Sequence, residues 1–272
     1  MMAPNELDAL AVKMRRAQDS TQPLAPLTTQ HPGFDLQAAY AVAHRMHTQR
    51  LREGERAVGR KIGFTNVNMW PQYGVHQPIW GHVYERTLVR LAAGRSTFSL
   101  AGLAEPRIEP EIVFGLRSPP PAGADAATVL ACVEWVAPAF EIVQSHFPGW
   151  KFQAPDTVAD GGLHGALLLG EPVPVASLAA PIDQLAGFTL DLSCDGTLVE
   201  TGRGAHVLGS PLNALAHLAS VLAGQPQLPA LAAGEVITTG TVTGAYPIAP
   251  GQRWQAQLHG IGLGGVSVEF TT

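Results

Sequence analysis

The segment RIEPEIVFGL, residues 107–116, sets an acidic pair against an apolar run. Ile112, Val113 and Phe114 have the β-branched and aromatic character of a strand, which puts Glu109 and Glu111 on one face. On a strand their Cα atoms stand about 6–7 Å apart, close enough for both carboxylates to converge on one cation. Pro110 between them removes a ladder donor and predicts an edge or a bulge. The plain alternative is a solvated edge strand, since acidic pairs are common on surfaces. A second segment weighs against it. In AFEIVQSHF, residues 139–147, Glu141 lies between Phe140 and Ile142, an acid inside an apolar run. A carboxylate there needs a partner, because burying a lone charge is costly. Glu109, Glu111 and Glu141, without histidine or cysteine at ligand spacing, form a hard-oxygen set suited to Mg2+ or Mn2+ and not to zinc.

Composition bounds the rest. The 272 residues are 46% hydrophobic, enough for a sizeable core, and the 29 glycines and 22 prolines imply many turns and short elements. A net charge of −5 without any lysine or arginine run gives no electrostatic basis for nucleic-acid or anionic-membrane binding. Cys132 and Cys194 sit in no CxxC motif and read as thiols. MMAPNELDAL lacks the basic and apolar regions of a signal peptide, and no apolar stretch of about 18 residues is free of charge or proline. The expectation is a cytoplasmic protein. Neither GxGxxG after a strand nor GxxxxGK[ST] occurs, so a nucleotide fold has no support.

Along the chain, Asn5 and Asp35 are placed to cap two helices, the second striped by Leu36, Ala39, Ala43 and Met46. Residues 1–57 therefore read as a helical N-terminal lobe, and 58–272 as a β-rich catalytic domain, an α+β organisation. Strands are expected at 58–64, 108–116, 139–145, 165–170, 187–193, 235–243, 253–258 and 264–270, with helices at 126–137 and 211–224. Lys61 shares a strand face with Gly59 and Gly63, which leaves room for a ligand at its ammonium. The turn-rich YGVHQPIWG, residues 73–81, presents His76 and Gln77 as candidate substrate contacts. Asp160-Gly161-Gly162 reads as a flexible turn before a strand opened by His164, and such loops often carry catalytic groups. Asp160 and His164 are candidates on that ground, although a lone histidine is more often structural. Thr239, Thr241 and Thr243 alternate with glycines in TTGTVTGAYPIAPG, residues 238–251, where hydroxyls and backbone N–H groups could receive a small carboxylate; ordinary strand threonines are the competing reading.

VGRKIGFT, YGVHQPIWG, the E-P-E strand, FEIVQSHFPGWK, DTVAD and GTVTGAYPIAPG occur in this order. Together they resemble the 2-keto-4-pentenoate hydratase / 4-oxalocrotonate decarboxylase branch of the fumarylacetoacetate hydrolase superfamily. The resemblance runs from about Val58 to Phe270. It implies a mixed β-sandwich roll, Mg2+ or Mn2+ on Glu109, Glu111 and Glu141, an acid/base role for Lys61, substrate contacts near Thr241–Gly244, and a homo-oligomer. Two stretches depart from the family pattern. Where Gly-Val-Asp-Gln-Pro is expected the chain has His76 in place of the acid, and DTVAD is followed by Gly161-Gly162-Leu163-His164-Gly165.

The reaction implied is that of a lyase of aromatic-compound catabolism on small 2-oxo or 2-hydroxy-dienoic acids, passing through an enolate stabilised by the metal. Lys61 would relay the proton if desolvation lowered its pKa toward neutrality. The alternative is C–C hydrolysis of acylpyruvates with His164 or His76 activating the water, and a third is a non-catalytic subunit on the same fold.

Overall fold

The computed structural model describes residues 2–73, 75–225 and 227–272. The strands, in chain order, are β1 (Ala57–Gly63), β2 (Ile79–Tyr84), β3 (Leu88–Arg90), β4 (Arg95–Ser99), β5 (Arg107–Leu116), β6 (Val133–Val143) and β7 (His164–Leu169). They continue with β8 (Val173–Pro174), β9 (Thr189–Cys194), β10 (Thr197–Arg203), β11 (Val236–Thr241), β12 (Tyr246–Pro247), β13 (Arg253–His259) and β14 (Val266–Thr271). Among the described residues they form a nine-stranded sheet of order β2-β1-β11-β5-β6-β7-β3, to which β12 and β8 add, and a five-stranded sheet of order β10-β9-β13-β14-β4. Both are mixed: β1–β11, β3–β7 and β4–β14 are parallel pairs.

The larger sheet buries both faces. One face carries Ile108, Ile112, Phe114, Phe140 and Ile142 into a core shared with Trp254, Leu258, Val268 and Phe270 of the five-stranded sheet. In β13 burial alternates strictly, as it must for a strand with one face on a core. The other face gathers Val83, Val113, Ala137, Ala139, Leu167 and Val236 into a separate cluster. β2 and β7, far apart in the hydrogen-bonded order, are in contact, so the sheet curls around this second cluster. Alanine, valine and leucine side chains fill the inside of the curl, and the acidic residues lie on the same face.

Several expectations are corrected. The apolar run at 126–137 is not one helix: the helix is Ala126–Ala131, and β6 starts at Val133. Pro138 cannot donate within a helix, while pairing from Gly115↔Trp135 to Arg107↔Val143, and past a register shift to Leu116↔Val133, satisfies the backbone. Ile79–Tyr84, partly read as loop, is a strand paired to β1. β5 is interior and not an edge. Pro110 carbonyl accepts from Val242 N at 3.1 Å, so its missing N–H faces the bulge between Thr238 and Thr241. The first helix, Pro4–Ser20, is capped at Ala3, whose N–H donates to the Glu6 carboxylate, and not at Asn5. Asp35 caps Leu36–Arg52 as expected, accepting from Ala38 N.

These two helices pack through Leu10, Met14, Val42 and Met46 against Ile79, Phe147 and Val158. Two polar links reach the same region: Thr28 N and Oγ1 donate to Asp156, and Gln18 Nε2 donates to Asp160 Oδ1 at 3.1 Å. No helix among the described residues is long and apolar enough to cross a membrane.

His47 of the second helix stacks on His82 of β2, with ring centroids 3.6 Å apart and planes 4° from parallel. Burial, then Arg60, lowers His47 to about 4 and His82 well below its ordinary value. Both rings are held neutral, so the unfolded chain binds more protons between about pH 4 and 6.5. Acidification through that window is expected to cost stability, and His47→Gln is expected to flatten the dependence; urea unfolding at pH 4.5 and 6.5 measures both.

Candidate active site

The β5–β6 ladder sets the acidic residues. Glu109 pairs directly with Glu141 and Glu111 with Ala139, so the three glutamates project from one face. One oxygen from each lies within 4.8 Å of the others. Glu111 and Glu141 are 1% and 0% exposed, and Glu109 is half-buried. Glu111 Oε2 accepts from Thr238 Oγ1 in a very short contact and from Gly240 N at 2.8 Å. Its Oε1 is buried without a hydrogen-bond partner. Glu141 Oε1 meets His164 Nδ1 at 2.8 Å, and Oε2 lies 3.1 Å from Lys61 Nζ, an ion pair outside directed hydrogen-bond geometry. One oxygen of each buried carboxylate is thus hydrogen-bonded by the protein, and the other has no hydrogen-bond partner. That arrangement fits a divalent cation.

Gly240 makes the bulge possible. Its φ is +96°, and a Cβ there would collide with the Thr65 hydroxyl. The bulge turns Thr238, a position not singled out from sequence, toward Glu111. The visible signal was the Thr-Thr-Gly-Thr run; its register was not visible.

Lys61 is 3% exposed. Its Nζ donates to Gly162 O at 2.8 Å, and a Cβ on Gly162 (φ +73°) would come within 2.9 Å of Lys61 Cδ. The Asp160-Gly161-Gly162 turn is therefore packed against Lys61 and bonded to it through Gly162 O. Gly59 leaves no room for a ligand either, since its Cα abuts the Val236 backbone; Gly63 does border the cavity.

Burial acts to lower Lys61, but Glu141, Glu109 and Glu111 together raise it above its ordinary value. The direction is upward, opposite to the descent toward neutrality that a proton relay by Lys61 would need. Burial, opposed by Lys61 and supported by Glu141, raises Glu109 to about 7. Burial and then Glu141 push Glu111 well above the carboxylate range. Burial opposes the charge on Glu141 too, yet Lys61 and His164 hold it below its ordinary value.

Lys61, Glu109 and Thr241 line one cavity with Thr65, Asn66 and Gly240, and its remaining wall is largely apolar. Phe64, Trp150 and Leu163 in that wall hold left-handed backbone (φ 56°, 58° and 63°), each at a cost of about 1–3 kcal/mol. The other candidates lie elsewhere. His76 and Gln77 are exposed, and Gln77 borders a separate groove with Gln37 and His44. His164 Nε2 is 2.9 Å from Thr87 Oγ1, so both ring nitrogens are engaged, and the ring lines a second cavity with Tyr84, Thr87 and Gln144. Asp160 is buried, with both oxygens 2.9 Å from His146 Nδ1. Thr243 lies beside Thr241 but bonds Gly244 O.

The fumarylacetoacetate (FAA) hydrolase C-terminal family matches residues 77–268. The chain belongs to this family. A 2-hydroxyhexa-2,4-dienoate hydratase of Comamonas testosteroni is 37% identical over 95% of each chain. A 2-keto-4-pentenoate hydratase of Paraburkholderia xenovorans is 34% identical over 99% of this chain and 96% of its own. Among solved structures, 4-oxalocrotonate decarboxylase from Pseudomonas putida G7, complexed with magnesium and adipate, superposes with a TM-score of 0.90 at 28% identity over 99% of both chains. The family fold accounts for the mixed sheets.

If the cluster holds the cation, Glu111→Gln and Glu141→Gln each weaken Mn2+ binding by at least about tenfold, since a carboxylate charge would be lost from it. Isothermal titration with Mn2+ checks this, and circular dichroism establishes that the variants fold.

Proposed function

We propose that the chain is a divalent-metal-dependent lyase of the hydratase type, acting on small 2-hydroxy-dienoic or 2-oxo acids of aromatic-compound catabolism. The observation that carries the reading is the convergence of Glu109, Glu111, Glu141 and the Lys61 ammonium beside one cavity, in a chain 37% identical to a dienoate hydratase. Mg2+ or Mn2+ held by the three glutamates would supply Lewis acidity toward the carboxylate and keto oxygens of a 2-oxo acid.

The protein's own groups do the rest. Lys61 Nζ holds a proton beside the cavity, fixed by Gly162 O and Glu141, and serves as the donor to substrate carbon. Glu141 keeps that ammonium charged, and His164 fixes the Glu141 carboxylate in turn. Thr241 and Asn66 border the cavity as orienting groups. Phe64, Trp150 and Phe152 exclude water from one side.

The placement of the histidines speaks against acylpyruvate hydrolysis. His164 has both nitrogens engaged and His76 is exposed outside the cavity, so neither is poised to activate water there. Hydration balances on Lys61 alone: its ammonium gives a proton to one carbon, and the amine left takes the proton of the water that adds to the other; decarboxylation releases carbon dioxide and leaves a carbon that takes the same Lys61 proton. In this reading residues 1–57 form a helical lobe over a β-sandwich roll of residues 58–272, supported by the Gln18–Asp160 and Thr28–Asp156 bonds, and the family resemblance supports a homo-oligomer.

A product assay with 2-hydroxypenta-2,4-dienoate and an acylpyruvate, with Mg2+ or Mn2+ present, is expected to show turnover of the dienoate and not of the acylpyruvate. Exhaustive chelation should abolish it. Lys61→Ala should lower kcat at least about a hundredfold, the usual scale for a lost acid/base; a near-normal rate would remove Lys61 from the chemistry.

A further inference from the structure

The segment 161–165 divides two cavities. Gly162 and Leu163 line the one that holds Lys61 and Glu109, whereas Gly161, His164 and Gly165 line the other. The same segment bonds both charged partners of the site: Gly162 O accepts from Lys61 Nζ at 2.8 Å, and His164 Nδ1 meets Glu141 Oε1 at 2.8 Å. The second cavity measures about 150 Å3, the size of an engineered cavity that takes up benzene. Trp80, Leu103 and Leu228 give it apolar wall, and Tyr40 stacks on Trp80 at 5.5 Å between centroids. Its described lining contains Arg50 and Arg86 and no aspartate or glutamate. Glu55 accepts from both guanidiniums at 2.7 Å, so one carboxylate serves two cations. Arg15, 3.6 Å from Glu55, has Asp19 and Glu53 as partners of its own. One positive charge of the lining is therefore left to be answered. Arg50 is buried and also donates to Gln18 Oε1, which leaves the exposed Arg86 as the fork that a carboxylate would meet. His44 and His82, both in the lining, each keep a buried Nδ1 without a hydrogen-bond partner, a cost that a ligand oxygen would relieve.

We propose that this cavity is a second ligand site, for a single-ring aromatic monocarboxylate, and that its occupant acts on the glutamate cluster through the segment 161–165. Arg86 takes the carboxylate, and the ring fills the space beside Trp80, Leu103 and Leu228. One unanswered cation suits a monoanion; a second carboxylate would bury a charge with nothing to pair it. A ligand packed on this wall favours the arrangement in which His164 meets Glu141, and by linkage it tightens a cation held by the glutamates. The site does not depend on the reaction proposed above.

Calorimetric titration of the full chain with Mg2+ present, using benzoate, acetate and benzyl alcohol, separates charge from ring. Benzoate is expected to bind at least about tenfold more tightly than acetate, which lacks the ring, and than benzyl alcohol, which lacks the charge. Two variants locate it. Arg86→Gln removes the guanidinium and Leu103→Trp fills the space; each should weaken benzoate at least about tenfold. Arg86 is exposed and Leu103 half-buried, so both variants should fold, which circular dichroism checks. Thr241→Val, in the other cavity, should leave benzoate binding unchanged. Saturating benzoate is then expected to tighten Mn2+ binding about fivefold, a gain absent from Leu103→Trp. Failure of benzoate to bind, or acetate binding as tightly, would overturn the ligand assignment. Loss of benzoate binding in Thr241→Val with Arg86→Gln unaffected would place the ligand beside Lys61 and overturn the second site. An Mn2+ affinity indifferent to benzoate would overturn the coupling.

Discussion

Glu109 faces Glu141 across the β5–β6 ladder, and much of the structure answers that single pairing. Like charges directly opposite on one sheet face repel, and Glu111 adds a third carboxylate at a nearly dry position. The fold supplies Lys61 as one counter-charge, His164 as a hydrogen-bond donor to Glu141, and Thr238 with Gly240 N as donors to Glu111. These contributions come from β1, β7 and β11, so three neighbouring strands are committed to holding one acidic cluster. The charge left over is what a divalent cation would balance.

Much of this was legible from residue order. The E-P-E strand and the acid within Phe140–Ile142 named the trio because carboxylates among apolar residues demand an explanation. What alternation could not supply was register. Lys61 and Glu141 are brought together by strand pairing across β1, β11, β5 and β6, which no local pattern encodes. The run at 126–137 misled because its apolar residues satisfy both helical and strand periods; Pro138 and the partner strand decide it. Gly59 misled for a related reason. A glycine can make space for a ligand or for a neighbouring backbone, and only the neighbour distinguishes them.

The pKa of Lys61 shows how burial alone gives the wrong sign. Desolvation acts in the expected direction, but the three neighbouring carboxylates outweigh it. His164 has a comparable lesson. It looked like a free catalytic base at a loop end, whereas its two nitrogens bridge Glu141 and Thr87, so its effect passes through the orientation of a carboxylate.

The pairs that build the site are remote in the chain. Gln18 meets Asp160 across 142 positions, Thr28 meets Asp156 across 128, Lys61 meets Gly162 across 101, and Gly240 N meets Glu111 across 129. During synthesis, the N-terminal helices leave the ribosome long before the segments they hold have been made. Glu111 has no donor for its inner oxygen until β11, near the end of the chain, has emerged. A nascent chain stopped short of Gly240 carries all three glutamates and Lys61 yet lacks the bulge that orients them. Assembly of the site is therefore a late event in the life of each molecule, and until then each glutamate is hydrated on its own and no acidic cluster exists.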